Sequence, residues 1–299
     1  MGGISLYELI KITDRSYYID CPAKIGVYDT GDGVYFIDSG GDKDAGRRMR
    51  KILDEQGWKL LGILVTHSNA DHIGGCQYLQ KQTGCKIFAP GIEAQFTRTP
   101  LLEPSFLYGG YPPKPLRHKF LMAQPCACLD VTDEAFPAGV EVLPLPGHFF
   151  DQCGYLLPDG TAFIADCVSS AETLDKYGFP FIYDVQAYLD TLSRLPETGA
   201  KMYVPSHAAA CEDIGPLALA NRRHIERLGE LVLHLCIEPR TFEEILKLAF
   251  DDLRLELSFQ QYVLVGSTLR SFLAWHLDAG RVSAEFVDNR LLWCSSCMC

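Results

Sequence analysis

The segment LGILVTHSNADHIGG, residues 61–75, decides the fold, because an apolar run in it leads directly to two histidines and an aspartate. The apolar run predicts a buried strand, and the residues after it predict a turn that opens a helix. His67 and Asn69 lie two residues apart on an extended backbone, so their side chains point the same way. Asp71 and His72, at the start of the helix, can reach a neighbouring point in space. Since α/β folds place their sites at such strand ends, the segment predicts a site there.

Three more polar residues follow apolar runs later in the chain. His148 follows Leu-Pro-Gly, Asp166 follows Phe-Ile-Ala and His207 follows Val-Pro-Ser. One such residue alone is more often a helix cap or a hydrogen-bonded histidine that binds nothing. Six of them at the ends of successive strands favour a metal site, which needs several converging nitrogen and oxygen donors.

These spacings resemble the His-x-His-x-Asp-His signature of the metallo-β-lactamase superfamily, followed by its later His, Asp and His, over roughly residues 10 to 215. The resemblance implies an α/β fold of the αββα sandwich type with a binuclear-type metal centre. It also implies that the first metal is bound by His67, Asn69 and His148, the second by Asp71, His72 and His207, and both by the bridging Asp166.

Asn69 departs from this signature, because the family usually has its second histidine there. An amide oxygen is a weak, neutral donor compared with an imidazole. We therefore expect one tight site at Asp71, His72, Asp166 and His207, and a first site that is weak or empty. Zinc is the expected divalent metal, with iron or manganese as alternatives.

The resemblance implies hydrolysis by a metal-activated hydroxide, since a divalent ion makes water acidic enough to supply hydroxide at neutral pH. Asp71 or Asp166 would orient that hydroxide and are the expected catalytic carboxylates. Asp38 is similar to a family position outside the ligand set that orients a ligand histidine. A turn aspartate at the end of a strand explains Asp38 nearly as well.

Strands and helices alternate through the first two thirds of the chain, which predicts a layered α/β sandwich. The pattern fails between residues 95 and 133, where prolines interrupt a series of aromatic residues. A loop of this length inside a domain is typical of a lid or binding insert, and a surface excursion packed on itself explains it equally well.

The last eighty residues have a different character, since helical patterns replace the alternation. Three helices followed by a hairpin are typical of a winged-helix module. We therefore expect a catalytic domain at 1–219 and a small C-terminal helical, winged-helix-like domain at 220–299. The predicted elements of the second domain are helices at 225–236, 241–250 and 259–277 and a hairpin at 282–293.

Charge and composition argue against several partners. A formal net charge of −11 in 299 residues opposes nonspecific attraction to nucleic-acid phosphates. No apolar run approaches the roughly 20 residues that span a bilayer, and the N-terminus lacks signal-peptide features, so we expect a cytoplasmic protein without membrane contact. The twelve cysteines are expected to be reduced thiols. Cys126 with Cys128, or Cys294 with Cys297 and Cys299, have spacings that suit zinc but form incomplete ligand sets.

Three functions remain open at this point. The leading one is hydrolysis of a small-molecule ester, thioester or lactone, with aromatic residues of 96–111 and 177–183 forming an apolar pocket. The second is a metal-dependent nuclease or phosphodiesterase, which the nine Lys or Arg and eleven Asp or Glu of residues 221–299 oppose. The third is a metal-binding protein that has lost catalysis, which Asn69 motivates. The apolar segment 259–277 would pack on the catalytic domain or on the partner in a homodimer.

Overall fold

Two β-sheets pack face to face, with helices on the outer surface of each, in the computed structural model, which describes residues 7–296. The first sheet has seven strands in chain order: β1 (Glu8–Lys11), β2 (Ser16–Asp20), β3 (Ile25–Asp29), β4 (Val34–Ile37), β5 (Leu60–Leu64), β6 (Lys86–Ala89) and β7 (Leu129–Asp130). The second sheet has four strands, which also neighbour one another in chain order: β8 (Glu141–Pro144), β9 (Cys153–Leu156), β10 (Thr161–Ser169) and β11 (Met202–His207).

The helices lie mostly in the connections that cover the two sheets. They are α1 (Lys43–Gln56), α2 (Ala70–Ile73), α3 (Cys76–Thr83), α4 (Glu93–Arg98), α5 (Leu102–Tyr108), α6 (Ala171–Tyr177), α7 (Val185–Arg194), α8 (Gly215–Leu235), α9 (Phe242–Asp252) and α10 (Phe259–Asp278). Short 3₁₀ turns occur at Lys114–Leu116 and Leu195–Thr198, and a separate hairpin pairs β12 (Val282–Val287) with β13 (Arg290–Ser295).

Strand direction changes within each sheet. The strands β1 to β4 form an antiparallel meander, whereas β4 to β7 run parallel. In the second sheet, β8, β9 and β10 are antiparallel neighbours and β11 runs parallel to β10. Parallel strands end at a common edge, so the residues after β5 and those at the ends of β10 and β11 can meet at one side of the sandwich.

Apolar side chains of both sheets form the central core. Leu64 and Phe88 of the first sheet pack in one cluster with Tyr155 and Phe163 of the second. The sheets approach closely at Gly26, where an added Cβ atom would lie 2.6 to 2.8 Å from the ring of Phe163. Two further clusters lie on the outer faces, between the first sheet and α1 and α3, and between the second sheet and α7 to α10. The predicted αββα sandwich is therefore confirmed.

Helix α1 shows how closely local signals define an element. Asp42 caps its N-terminus by accepting hydrogen bonds from the backbone N–H groups of Asp44 and Ala45. Gly57 ends it in the left-handed conformation, with φ 68°. The sequence predicted a helix over residues 45–57, and the structure extends it by two residues at the N-terminus because the Asp42 cap precedes the apolar pattern.

The insert at residues 95–133 differs from the expected loop, because it contains α5, a 3₁₀ turn and β7 and begins within α4. Prolines occupy first-turn positions here, where the missing N–H has no helical partner to lose. Leu107, Leu116 and Leu121 of the insert are buried in a cluster with Val263 of α10. The insert is thus packed against the C-terminal helices.

The C-terminal elements follow the predicted order of helix, helix, helix and hairpin. Helix α8 starts at Gly215, earlier than predicted, so the expected boundary at residues 219 and 220 lies inside a continuous helix. Pro216 lies in the first turn of α8, where proline is tolerated, but a proline is more often a sign that no helix is present. Asp288 and Asn289 turn the hairpin with φ values of 50° and 59°. A separate winged-helix-like domain at 220–299 stays a prediction.

The long apolar helix α10 is covered by this chain itself. Leu269, Phe272 and Leu273 are buried in a cluster that also contains Leu189 of α7 and Ile164 of β10. Of the two coverings expected for this face, the structure shows packing on the catalytic part of the chain. No helix within residues 7–296 is long and apolar enough to cross a membrane.

Candidate metal centre

Asp38 fixes the loop that carries most of the predicted ligands. Its carboxylate follows β4 and accepts hydrogen bonds from the Thr66 backbone N–H at 2.8 Å and from the Thr66 hydroxyl at 2.7 Å. It also lies 2.8 Å from Nδ1 of His72. A proton on Nδ1, donated to Asp38, leaves Nε2 of His72 free to bind a cation. Asp38 thus fixes both the loop after β5 and the imidazole ring of His72.

Other elements bring the remaining predicted ligands to the same place. Asp166 lies within β10, directly after an irregularity in strand pairing at Ala165, whose φ is 51°. His207 ends β11, and its Nδ1 lies 3.0 Å from the carbonyl oxygen of Pro22. His148 follows Gly147, which packs so closely on α7 that an added Cβ atom would lie 2.3 Å from the backbone nitrogen of Tyr188.

The seven predicted side chains meet around Asp166. Donor atoms of His67, His148 and Asp166 lie within 4.8 Å of one another, and so do those of Asp71, His72 and His207. We call these two groups the first and the second half-site. Asp166 lies between them, because its Oδ1 is 3.3 Å from Nε2 of His72 and its Oδ2 is 3.2 Å from Nε2 of His207 and 3.6 Å from Nε2 of His148.

Three buried polar atoms of this cluster make no regular hydrogen bond within residues 7–296. They are Nε2 of His67 and the pair formed by Nε2 of His72 and Oδ1 of Asp166, which lie 3.3 Å apart. Buried polar groups nearly always form regular hydrogen bonds, so their lack at three atoms of one cluster needs an explanation. Imidazole nitrogen and carboxylate oxygen are the donors that zinc and similar divalent ions take. The residues present therefore fit a divalent metal.

Burial and neighbouring charges set the protonation of the ligands. Burial lowers the pKa of His67 well below its ordinary value and also lowers that of His148. Burial raises the pKa of Asp166, but the imidazoles of His207 and His72 outweigh it and bring that pKa well below the ordinary value. Asp166 is therefore an anion, and the imidazoles of His67 and His148 are neutral. These protonation states are the ones that bind a cation.

The two histidines of the second half-site differ from those of the first. Burial lowers the pKa of His72, but Asp166, Asp71 and Asp38 raise it to well above its ordinary value. Asp166 raises the pKa of His207 as well. Carboxylates surround this half-site, so it has the stronger attraction for positive charge.

Asn69 faces the first half-site with its amide oxygen. Its Oδ1 lies 3.1 Å from Nε2 of His148, and its Nδ2 donates a 2.9 Å hydrogen bond to Oε1 of Glu103. Glu103 belongs to α5 and is buried. Burial raises the pKa of Glu103 well above its ordinary value, while the hydrogen bond from Asn69 acts in the opposite direction. The sequence analysis missed Glu103, because a glutamate before a proline carries no signal for burial.

A second buried glutamate ties two ligand loops together and was also missed. Glu93 of α4 accepts hydrogen bonds from the backbone N–H and the hydroxyl of Ser68 at one oxygen, and from the backbone N–H of Asp151 at the other. Burial raises the pKa of Glu93 to about 7. Glu93 therefore connects the loop of His67 to the loop of His148.

Aromatic side chains from separate segments collect beside the first half-site, and we call them the aromatic cluster. The ring of His67 is centred 6.4 Å from that of Phe149, and the ring of His148 is centred 5.5 Å from that of Phe181. Of the predicted pocket residues, Tyr108, Tyr111 and Tyr177 are exposed and lie outside it. The aromatic cluster comprises Phe96, Phe106, Phe149, Phe150, Phe181 and Tyr183.

The predicted cysteine sites receive no support from the described part of the chain. Within it, the two half-sites are the only groups of His, Cys, Asp or Glu close enough to share a metal ion. Cys126 and Cys128 are buried free thiols. Cys297 and Cys299 lie outside the described residues.

Comparisons with solved structures agree with this fold. The chain superposes on a beta-lactamase domain protein from Burkholderia ambifaria with a TM-score of 0.72 and 17% identity, over 98% of this chain and 94% of that one. It superposes on a metallo-beta-lactamase family protein from Thermus thermophilus with a TM-score of 0.70 and 17% identity, over 96% and 97% of the two chains. At this identity the likeness establishes the fold alone.

Curated relatives match over shorter stretches. A hydroxyacylglutathione hydrolase from Rhodopseudomonas palustris (strain BisB18) is 30% identical over 132 residues, which are 44% of this chain and 41% of the relative. A hydroxyacylglutathione hydrolase from Rhodobacter capsulatus is 30% identical over 154 residues, 50% of this chain and 49% of the relative. The chain thus spans less than half the length of these two relatives.

A family model described as "Metallo-beta-lactamase superfamily" matches residues 18–207. The matched residues make up more than half of the chain and contain both half-sites and both sheets of the sandwich apart from β1 and the start of β2. The chain therefore belongs to the metallo-beta-lactamase superfamily.

Proposed function

We propose that the chain is a metal-dependent hydrolase that acts on a small-molecule ester, thioester or lactone. The observation that carries the proposal is the convergence of buried imidazole and carboxylate donor atoms around Asp166, with His67 and His148 on one side and His72 and His207 on the other. A divalent metal explains these atoms, and the superfamily to which the chain belongs includes the hydroxyacylglutathione hydrolases that it resembles in part.

The two half-sites are proposed to bind metal unequally. Asp71, His72, Asp166 and His207 combine two carboxylates with two imidazoles, whereas Asn69 offers the first half-site only a neutral amide oxygen. Carboxylate and imidazole bind zinc more strongly than an amide does. The second half-site is therefore the tight one. Zinc is the first expectation, and iron or manganese would suit the same donors.

A bound divalent cation supplies Lewis acidity, which polarises a substrate carbonyl and lets water attack at neutral pH. The protein supplies position and proton transfer. The Asp166 side chain is only 10% exposed and contacts the rings of His72, His148 and His207, whereas that of Asp71 is 52% exposed and open to solvent. Asp71 is thus placed to orient an incoming water and to accept its proton.

The surroundings of the half-sites favour an acyl substrate with an apolar part. The aromatic cluster lies beside the first half-site, where the ring of Phe181 is centred 5.5 Å from that of His148 and the ring of Phe149 is centred 6.4 Å from that of His67. Apolar walls with a few polar groups are typical of small-molecule sites. An acylglutathione is a thioester, so the names of the partial relatives favour the same class.

Elemental analysis of protein purified without added metal is the first test. About one metal per chain is expected from the unequal half-sites, while about two would mean that Asn69 or a water molecule completes the first one. Removal of the metal by a chelator should abolish hydrolysis, and adding back zinc, iron or manganese should show which ion restores it.

Hydrolysis is then measured on a thioester of glutathione, an aliphatic ester, a lactone and an RNA oligonucleotide. Asp166→Asn should lower the rate by at least about 100-fold, beyond the 10- to 100-fold effects typical of groups outside the ligand set. Asp159→Asn is the matched control, because Asp159 turns the same β9–β10 hairpin and bonds the hydroxyls of Thr13 and Ser16. Metal-loaded protein that cleaves none of the acyl compounds, or only RNA, would contradict the proposal.

A further inference from the structure

We propose that Glu103 is a positioning residue that holds the amide oxygen of Asn69 toward the first half-site and thereby sets the metal affinity of that half-site. The inference rests on the proposed metal-dependent function. The insert at residues 95–133 would thereby influence metal binding directly, although it contains none of the candidate ligands.

The hydrogen bonds of Asn69 carry the argument. Nδ2 of Asn69 donates to Oε1 of Glu103 at 2.9 Å, and Oδ1 lies on the other side, 3.1 Å from Nε2 of His148. A primary amide can ligate a metal through its oxygen, whereas its NH₂ group only donates hydrogen bonds. A rotation of 180° about the terminal bond would turn the NH₂ group toward the ligands. Glu103 opposes this rotation, because its Oε1 is an acceptor whether or not a proton occupies the other carboxyl oxygen.

The burial of Glu103 marks it as more than a surface contact. Only 4% of the residue is exposed, although carboxylic acids are seldom buried without a specific partner. Asp71 and Glu93 also lie nearby, and their charges disfavour negative charge on Glu103. A glutamine or an apolar residue of similar size would fill the space without this cost. The retained acceptor is explained if the orientation of Asn69 depends on it.

The position of Glu103 is fixed from outside the ligand loops. Leu107, four residues later on α5, is buried against Val263 of α10, and the ring of Tyr108 is centred 6.4 Å from that of Phe259. The C-terminal helix therefore anchors the helix that carries Glu103. A rigid support of this kind holds an otherwise weak amide donor in its binding orientation and removes the cost of ordering it.

Metal titration of the apoprotein tests the inference without a substrate. Zinc binding is followed by competition with a chromophoric chelator, and Co²⁺ binding by its visible absorption, so that the tighter and the weaker ion are resolved. Glu103→Met removes the acceptor at similar length and should weaken binding of the second ion about 10- to 100-fold. The tighter ion should be held within about threefold of the wild-type affinity, because Asn69 is no ligand of the second half-site.

Three variants separate positioning from a structural effect. Glu103→Gln keeps one oxygen acceptor and should weaken binding of the second ion less than Glu103→Met does. Ser105→Ala, whose lost hydroxyl donates to the Leu101 carbonyl on the same helix, should leave the affinity for both ions unchanged. In a chain that already carries Asn69→Ala, Glu103→Met should have no further effect. If Glu103→Met fails to fold, Glu103→Ala takes its place in the same comparison.

Three results would overturn the positioning role of Glu103. They are an equal loss of affinity for both ions in Glu103→Met, an additive loss of affinity in the double variant, and no loss of affinity at all. Binding of a single ion even at millimolar zinc would overturn it as well, because Asn69 would then be no donor. Absence of any bound metal in the wild-type chain would instead remove the proposed function itself.

Discussion

Asp38→Asn should weaken binding of the tighter metal by about 10- to 100-fold, the range typical of partners that orient a metal-bound histidine. This equals about 1.4 to 2.7 kcal/mol of binding free energy. The direction follows from the hydrogen bonds around Asp38. Its Oδ1 accepts from the Thr66 N–H, which can only donate, while its Oδ2 accepts from the Thr66 hydroxyl and faces Nδ1 of His72.

The new side chain keeps one oxygen, which stays with the Thr66 N–H, and its NH₂ group then faces His72. That ring must turn its lone pair toward the NH₂ group at Nδ1 and carry its proton at Nε2, the atom that would bind the metal. Folding stability should also fall by about 1 to 3 kcal/mol, because buried partners lose an acceptor. Metal affinity is measured by chelator competition and stability by urea denaturation.

Asp159→Asn serves as the control for Asp38→Asn. Asp159 also accepts hydrogen bonds from two hydroxyls and one backbone N–H, but at the turn of the β9–β10 hairpin. The Asp159→Asn variant should lose a comparable amount of folding stability and keep the wild-type metal affinity. If Asp38→Asn destabilises the fold yet binds the tighter metal within about threefold of the wild type, the orientation of His72 does not depend on Asp38 and the reasoning fails.

Three further substitutions test the supporting structure. Gly147→Ala should destabilise the fold by at least about 1 to 3 kcal/mol, because φ is 122° and the Cβ atom would clash with Tyr188, so an unchanged urea midpoint would contradict the packing. Tyr155→Phe removes a 2.7 Å hydrogen bond to the buried carbonyl of Val65 and should cost about 1 to 3 kcal/mol while leaving hydrolysis unchanged; a slower reaction would place Tyr155 at the substrate. Burial raises the pKa of Glu93 from its ordinary value of 4.5 to about 7 in the fold, so the folded state binds more protons and wild-type stability falls as pH rises through this window, by up to about 3 kcal/mol. The Glu93→Gln variant should not show this decrease in stability. If the stability of both proteins changes with pH in the same way between pH 5 and 8, ionisation of buried Glu93 does not explain the decrease.

Local patterns determined much of the architecture. The apolar run before His67 predicted β5, and the patterns of the last eighty residues predicted three helices and the C-terminal hairpin. Each depends on residues close in sequence, where periodicity, capping and turn geometry act directly. The sequence also predicted six candidate ligands, because strand ends of an α/β fold converge on one edge whatever the exact length of the connections, and the family resemblance added Asn69.

Tertiary structure alone decided how those ligands are supported. Glu103 is 34 residues from Asn69, and Glu93 is 58 residues from Asp151. No periodicity marks either pair, since each depends on where the insert docks. The insert itself was predicted as a loop, because its helices are too short for a periodic pattern and are held by packing on α10. Local sequence thus determined which donor atoms reach the site, whereas long-range packing decided their orientation, because hydrogen bonds between distant segments exist only once the sheets and helices have assembled.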